Sequence, residues 1–83
     1  MLTVRLFARF REKIGLEEEQ LPLPEGVHSV AALQAHLAAR GGDWELLAEG
    51  NQVLVAVNQE MAGPEHSIQA GDEVAFFPPV SGG

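Results

Sequence analysis

Leu2, Val4, Leu6 and Ala8 alternate with Thr3, Arg5, Phe7 and Arg9, the two-residue period of a strand with one buried face. A first strand is expected over residues 2–8. Phe10-Arg11-Glu12-Lys13-Ile14-Gly15 is short and charged and ends in glycine, which predicts one helical turn stopped by Gly15 in a left-handed conformation. A second strand over residues 18–23 is bounded by Pro22 and Pro24, which cannot donate to a ladder and so mark an edge. Ser29 precedes Val30, Leu33 and Leu37, whose spacing builds one apolar helix face, with Gln34, His36 and Arg40 elsewhere. Ser29 is the expected N-cap, and Gly41-Gly42 the stop, with Arg40 set against the helix C-terminus.

Residues 43–50 read as a second short helix, capped by Asp43 and stopped by Gly50, with Trp44 and Leu47 sealing one edge of the core. Residues 52–58 are β-branched and almost continuously apolar, the pattern of a strand covered on both faces. Asn58-Gln59 and Gly63-Pro64 are turn signals around a short stretch holding Met61, and Gly71-Asp72 introduces a last strand over residues 73–78. This order predicts an α+β roll: a mixed sheet of about five strands with one main helix packed across a single face.

Charge and composition narrow the chemistry. The 83 residues carry five Lys+Arg against twelve Asp+Glu, a net charge of −7. Such an acid excess disfavours nucleic acid and anionic membranes as partners, and only Arg5, Arg9, Arg11 and Lys13 come close together. With no cysteine, disulfides, thiolate metal sites and a side-chain thiol nucleophile are excluded, and a cytoplasmic location is expected. The N-terminus has no basic segment leading into an apolar run, so no signal peptide is expected, and no apolar run approaches the roughly 20 residues of a membrane span.

Familiar catalytic sets are missing. His28, His36 and His66 have no metal-ligand spacing and read as surface or turn histidines. Glu17-Glu18-Glu19 alternate in direction along a strand and read as a solvated edge, without a partner for acid/base work. Gly41-Gly42 follows a helix instead of opening one, which excludes a phosphate cradle.

The C-terminal end remains. Pro78-Pro79 ends the sheet and favours extended backbone, projecting Val80-Ser81-Gly82-Gly83 from the body. Gly82 and Gly83 have no side chains, so a narrow channel in a partner can close around them and reach the terminal carboxylate. The competing reading is a frayed, functionless end. Phe7 and Phe77 both fall on the solvent parity of their strands, which predicts an exposed apolar patch joined by Met61 and edged by Arg11. A loop covering one phenylalanine is the alternative.

The block Gly71-Asp72-Glu73-Val74-Ala75-Phe76-Phe77-Pro78-Pro79-Val80-Ser81-Gly82-Gly83 resembles the C-terminal signature of the small, sulfur-carrier subunits of molybdopterin synthase, a ubiquitin-like β-grasp family. Phe7 with Arg11-Glu12, Val30 to Leu37, and Ala56-Val57-Asn58-Gln59 extend the resemblance along the chain. Thiamine sulfur carriers and ubiquitin-like modifiers share the Gly-Gly ending, but thiamine carriers usually lack Phe-Pro-Pro.

The resemblance implies a β-grasp domain over residues 1–78 and an extended Gly-Gly tail over residues 79–83. It implies that an ATP-dependent enzyme adenylates the Gly83 carboxylate, and that a sulfur donor system converts it to a thiocarboxylate. The tail then enters the large synthase subunit and donates sulfur to cyclic pyranopterin monophosphate, building the molybdopterin dithiolene. On this reading the chain is no enzyme on its own and binds no cofactor or metal; ATP is used by the activating enzyme. Gly82 and Gly83 are the reactive end, and Phe7, Arg11, Met61, Phe77, Pro78, Pro79, Val80 and Ser81 contact partners within a heterotetramer centred on two large subunits. Conjugation of Gly83 to lysines, or sulfur delivery for thiamine or tRNA thiolation, are the alternatives.

Overall fold

A computed structural model describes residues 1–48 and 50–79. The chain runs β1 (Leu2–Leu6), α1 (Ala8–Ile14), β2 (Glu18–Leu21), α2 (Val30–Ala38), a 3-10 helix (Gly42–Leu47), β3 (Leu54–Val57), β4 (Glu60–Met61) and β5 (Glu73–Phe77). The strands form one sheet in the order β2-β1-β5-β3-β4. β1 and β5 are parallel, while the β1–β2, β3–β5 and β3–β4 pairs are antiparallel. This is the α+β, ubiquitin-like β-grasp architecture expected from the sequence: a mixed five-strand sheet holding one main helix.

Alternation along the strands builds the core. Leu2, Val4 and Leu6 of β1, Val74 and Phe76 of β5, and Val55 and Val57 of β3 are buried with Val30, Leu33 and Leu37 of α2. Phe10 of α1 and Leu47 of the 3-10 helix complete that cluster, and Trp44 packs against it.

α2 is entered as the sequence predicts. Ser29 is its N-cap, its side-chain oxygen accepting from the Ala32 N–H at 3.2 Å. The Val30 and Ala31 N–H groups, orphans of the first turn, donate to the His66 and Pro64 carbonyls at 3.0 and 2.9 Å. The start of the helix is thereby anchored to the loop that leads toward β5.

Several expectations are corrected. β1 ends at Leu6, not at residue 8, because Phe7 becomes the extended N-cap of α1 and Ala8 turns to φ +51°. α1 is accordingly longer than the predicted turn, although Gly15 closes it at φ +85° as expected. β2 stops at Leu21, before Pro22. α2 ends at Ala38, ahead of the paired glycines.

The next helix is of the 3-10 type and is entered from Gly41, with Asp43 inside its first turn. It ends at Leu47, short of Gly50. β3 is trimmed to Leu54–Val57, since Asn58 and Gln59 both take positive φ, +51° and +71°, as a two-residue type I′ hairpin turn requires. β5 ends at Phe77.

Candidate functional site

Residues paired directly across a sheet share a face, so the register sorts the surface opposite α2 into ranks. Glu73, Thr3 and Gln20 form a polar rank. Next come Met61, Ala56, Ala75, Arg5 and Glu18, crossing all five strands. The following rank holds Leu54 opposite Phe77. Polarity therefore falls along the face toward the end of β5, where the chain leaves the sheet at Pro78-Pro79.

Phe7 joins that apolar rank. Leu6 is in register with Phe76, and the Phe7 N–H donates to the Phe76 carbonyl at 3.1 Å, which carries Phe7 alongside Phe77 beyond the end of the ladder. The Arg5 guanidinium lies 5.4 Å from the centre of the Phe7 ring, so the ring is on the outer side with Arg5. Phe7 and Phe77 are both half-buried, and Met61, on the short edge strand, is 62% exposed. Phe7 and Phe77 thus fall on the outer side of the sheet, as their parity predicts, but each is half-buried, and of the apolar side chains predicted for the patch only Met61 is exposed.

Arg5 closes its polar end. Its guanidinium lies 3.7 Å from Glu18 and 3.9 Å from Glu73, and its buried Nε has no hydrogen-bond partner among the described residues. Arg11 is exposed on α1, one turn after Phe7. Pro78 is half-buried and Pro79 exposed, immediately beyond β5. Val80, Ser81, Gly82 and Gly83 lie outside the described residues.

Ala75 shares the outward parity of Phe77, as alternation along β5 predicts, and Leu54 and Ala56 join it on this face through the β3–β5 register, which alternation alone does not reveal. Residues 52–58 were expected to be covered on both sides, yet every side chain on the outer face except Ala56 keeps some solvent exposure. Their continuous apolarity serves the core on one side and this surface on the other. Alternation within the run, read against the solvent parity of Phe77, was the available signal.

Elsewhere the acidic run does more than line an edge. Glu18 faces Arg5, while Glu19, on the core side of β2, receives a two-pronged grip from Arg40 at 2.9 and 2.7 Å. The Arg40 hydrogen bonds hold the Glu19 carboxyl below its ordinary value of 4.5, and the same contact raises the pKa of Arg40. Arg40 follows the end of α2, where it was expected, and its guanidinium also lies 4.4 Å from the centre of the Trp44 ring, so it links β2 to the 3-10 helix.

All three histidines are exposed, and no group of three metal-ligating side chains and no pocket occurs among the described residues. No described helix is long and apolar enough to cross a membrane.

The model of the ThiS family matches residues 4–83. A molybdopterin synthase sulfur carrier subunit of Haemophilus influenzae is 43% identical over 83 residues, the whole of both chains. Its namesake in Escherichia coli is 41% identical, again over the whole of both. Among solved structures, a putative molybdopterin converting factor subunit 1 from Pyrococcus furiosus superposes with a TM-score of 0.75 at 32% identity, covering 95% of this chain and 97% of that one.

Proposed function

The chain belongs to the ThiS family, and on that premise we propose that it is the sulfur-carrier subunit of a molybdopterin synthase. The observation that carries this reading is the end-to-end match to carrier subunits of that name at 43% and 41% identity. The graded face beside the exit of β5 supports it. A protein that must present its last residues to a partner needs a docking surface where the chain leaves the fold, and Phe7, Phe77 and Met61 supply one with Arg11 at its margin.

Chemistry is then concentrated at Gly83. Its carboxylate attacks the α-phosphorus of ATP in an activating enzyme, forming an acyl adenylate and releasing pyrophosphate. Sulfur from a donor system attacks the acyl carbon, AMP leaves, and a thiocarboxylate remains. Glycines at 82 and 83 let the partner's channel close on the backbone without a steric block. Within the large subunit the thiocarboxylate sulfur passes to cyclic pyranopterin monophosphate, two transfers complete the dithiolene, and the carrier leaves as the carboxylate.

Acid/base groups and the pterin pocket belong to the large subunit, so this chain is a co-substrate that completes another protein's site. It works without a bound cofactor in a cytoplasmic heterotetramer with two central large subunits. Residues 1–78 are the docking domain and residues 79–83 the reactive tail.

Intact-mass measurement of the protein from cells tests this. One oxygen replaced by sulfur is expected, together with sulfuration of the pterin precursor once the large subunit is added. Abundant isopeptide conjugates through Gly83 with no pterin sulfuration would overturn it in favour of a ubiquitin-like modifier. Sulfur delivered only to a thiamine precursor or to tRNA would overturn it in favour of those pathways.

A further inference from the structure

Met61 is one of two methionines in a chain without cysteine. Its side chain is 62% exposed at the sheet edge, opposite Ala56 and within the face that descends to Leu54 and Phe77. We propose that Met61 is an oxidation site, and that conversion of its thioether to the sulfoxide by a hydroperoxide weakens docking of this face. The inference rests on the docking role assigned above.

The reaction is complete with one co-reactant. The thioether sulfur attacks the peroxide, the O–O bond breaks and an S–O bond forms. Sulfur loses two electrons, and the departing oxygen takes up a proton as water or an alcohol. The product replaces an apolar, adaptable side chain with a strongly polar acceptor.

Ala56, Ala75, Leu54 and Phe77 carry no side-chain donor to meet that oxygen. A partner surface matched to these apolar side chains removes its water without replacement, at a cost on the order of a tenfold loss of affinity. Because β4 is a two-residue edge strand outside the buried cluster, the fold itself is untouched. A dithiol acting through methionine sulfoxide reductases returns the thioether, giving up two electrons to become a disulfide while the oxygen leaves as water, which makes the change reversible.

Met1 is an internal control. It is equally exposed at 62%, but lies at the opposite end of β1 from Phe7, where its carbonyl accepts from the Gly71 N–H at 2.7 Å.

In the test, the full-length carboxylate form is treated with hydrogen peroxide, oxidised positions are mapped by peptide mass, and binding to the large synthase subunit is measured by calorimetry. Chains oxidised at Met61 should bind about tenfold more weakly with an unchanged melting temperature. Chains oxidised only at Met1 should bind like untreated protein, and treatment with both epimer-specific reductases should restore affinity. In Met61→Leu, peroxide should leave whatever affinity the variant has unaltered. Equal affinity of the oxidised and untreated protein would overturn the proposal alone, as would a loss explained by a lower melting temperature. Failure of untreated protein to bind would overturn the docking reading and this inference with it.

Discussion

The Gln34 side chain donates from Nε2 to the Leu47 carbonyl oxygen at 3.0 Å, inside the core and only 4% exposed. One amide thus ties α2 to the end of the 3-10 helix, whose last carbonyls have no partner within so short an element. Gln34→Leu keeps the volume but leaves that carbonyl buried and unsatisfied. A loss of about 1–3 kcal/mol is expected, read as a lower midpoint in urea with an unchanged slope. An unchanged midpoint would mean that water reaches the carbonyl.

That contact joins residues thirteen apart and is not encoded by local pattern. The spacing of Val30, Leu33 and Leu37 identified the buried face of α2, and Ser29 its start, because both signals are local. The same spacing sets Gln34 off that face, yet it is buried, and the approach of Leu47 from thirteen residues on makes its burial favourable. Glu19 likewise looked solvated until the end of α2 delivered Arg40.

On the docking face the parity of Phe7 and Phe77 was legible, since alternation is local too. Ala75 followed from the same alternation along β5, whereas the contributions of Leu54 and Ala56 required the β3–β5 register, which no single strand encodes. Phe7 reached the same surface by a different route, as the cap of α1 and not as the end of β1.

The Glu19–Arg40 pair gives a pH signature. Its hydrogen bonds lower the folded pKa of Glu19 below the ordinary 4.5, so its stabilisation is present above that value. It is lost as pH falls through the lowered folded value. Wild type should exceed Glu19→Gln in stability by no more than about 1 kcal/mol near neutrality, since solvent screens a pair this accessible. Urea titrations from neutral to acid pH should find that difference shrinking once pH drops below the ordinary value. A difference that grew toward acid would have the wrong sign for this linkage.

The β3–β4 turn offers a gain. Asn58 and Gln59 both hold positive φ, and Asn58 is tied down further by its Nδ2 donating to Asp72 Oδ1 at 3.0 Å and its Oδ1 accepting from the Glu73 N–H at 3.0 Å. Gln59 has no such compensation among the described residues and pays the cost of a left-handed side-chain residue. Gln59→Gly creates the favoured Asn-Gly pair and should raise stability by about 1 kcal/mol, seen as a higher melting temperature. A destabilised variant would contradict the type I′ assignment.

Replacing Phe7 or Phe77 by Arg separates docking from folding. Both rings are half-buried on the outer face, and an arginine stem can lie along the same surface with its charge in water, so stability should fall by about 1 kcal/mol or less. Affinity for the large subunit should fall at least tenfold, because a guanidinium must be desolvated at the centre of an apolar contact. Calorimetry against the subunit, paired with urea melts of the free variant, measures the two effects. A large loss of stability with intact binding would place the ring in the core.

Deleting Gly83 tests where the reactive carbonyl must be. The shortened chain still ends in a carboxylate and a glycine, so charge and flexibility are nearly preserved. Its acyl carbon, however, falls short by one residue, a reach of roughly 3.5 Å. Transfer reactions tolerate far less misplacement, since an error of about 1 Å can cost on the order of a hundredfold in rate. Pterin sulfuration should therefore disappear while the melting temperature and binding of the folded body hold, because the core cluster ends at Phe76. Mass spectrometry for the thiocarboxylate and a sulfuration assay with the large subunit locate the failed step. Full sulfuration by the shortened chain would exclude Gly83 as the site of chemistry.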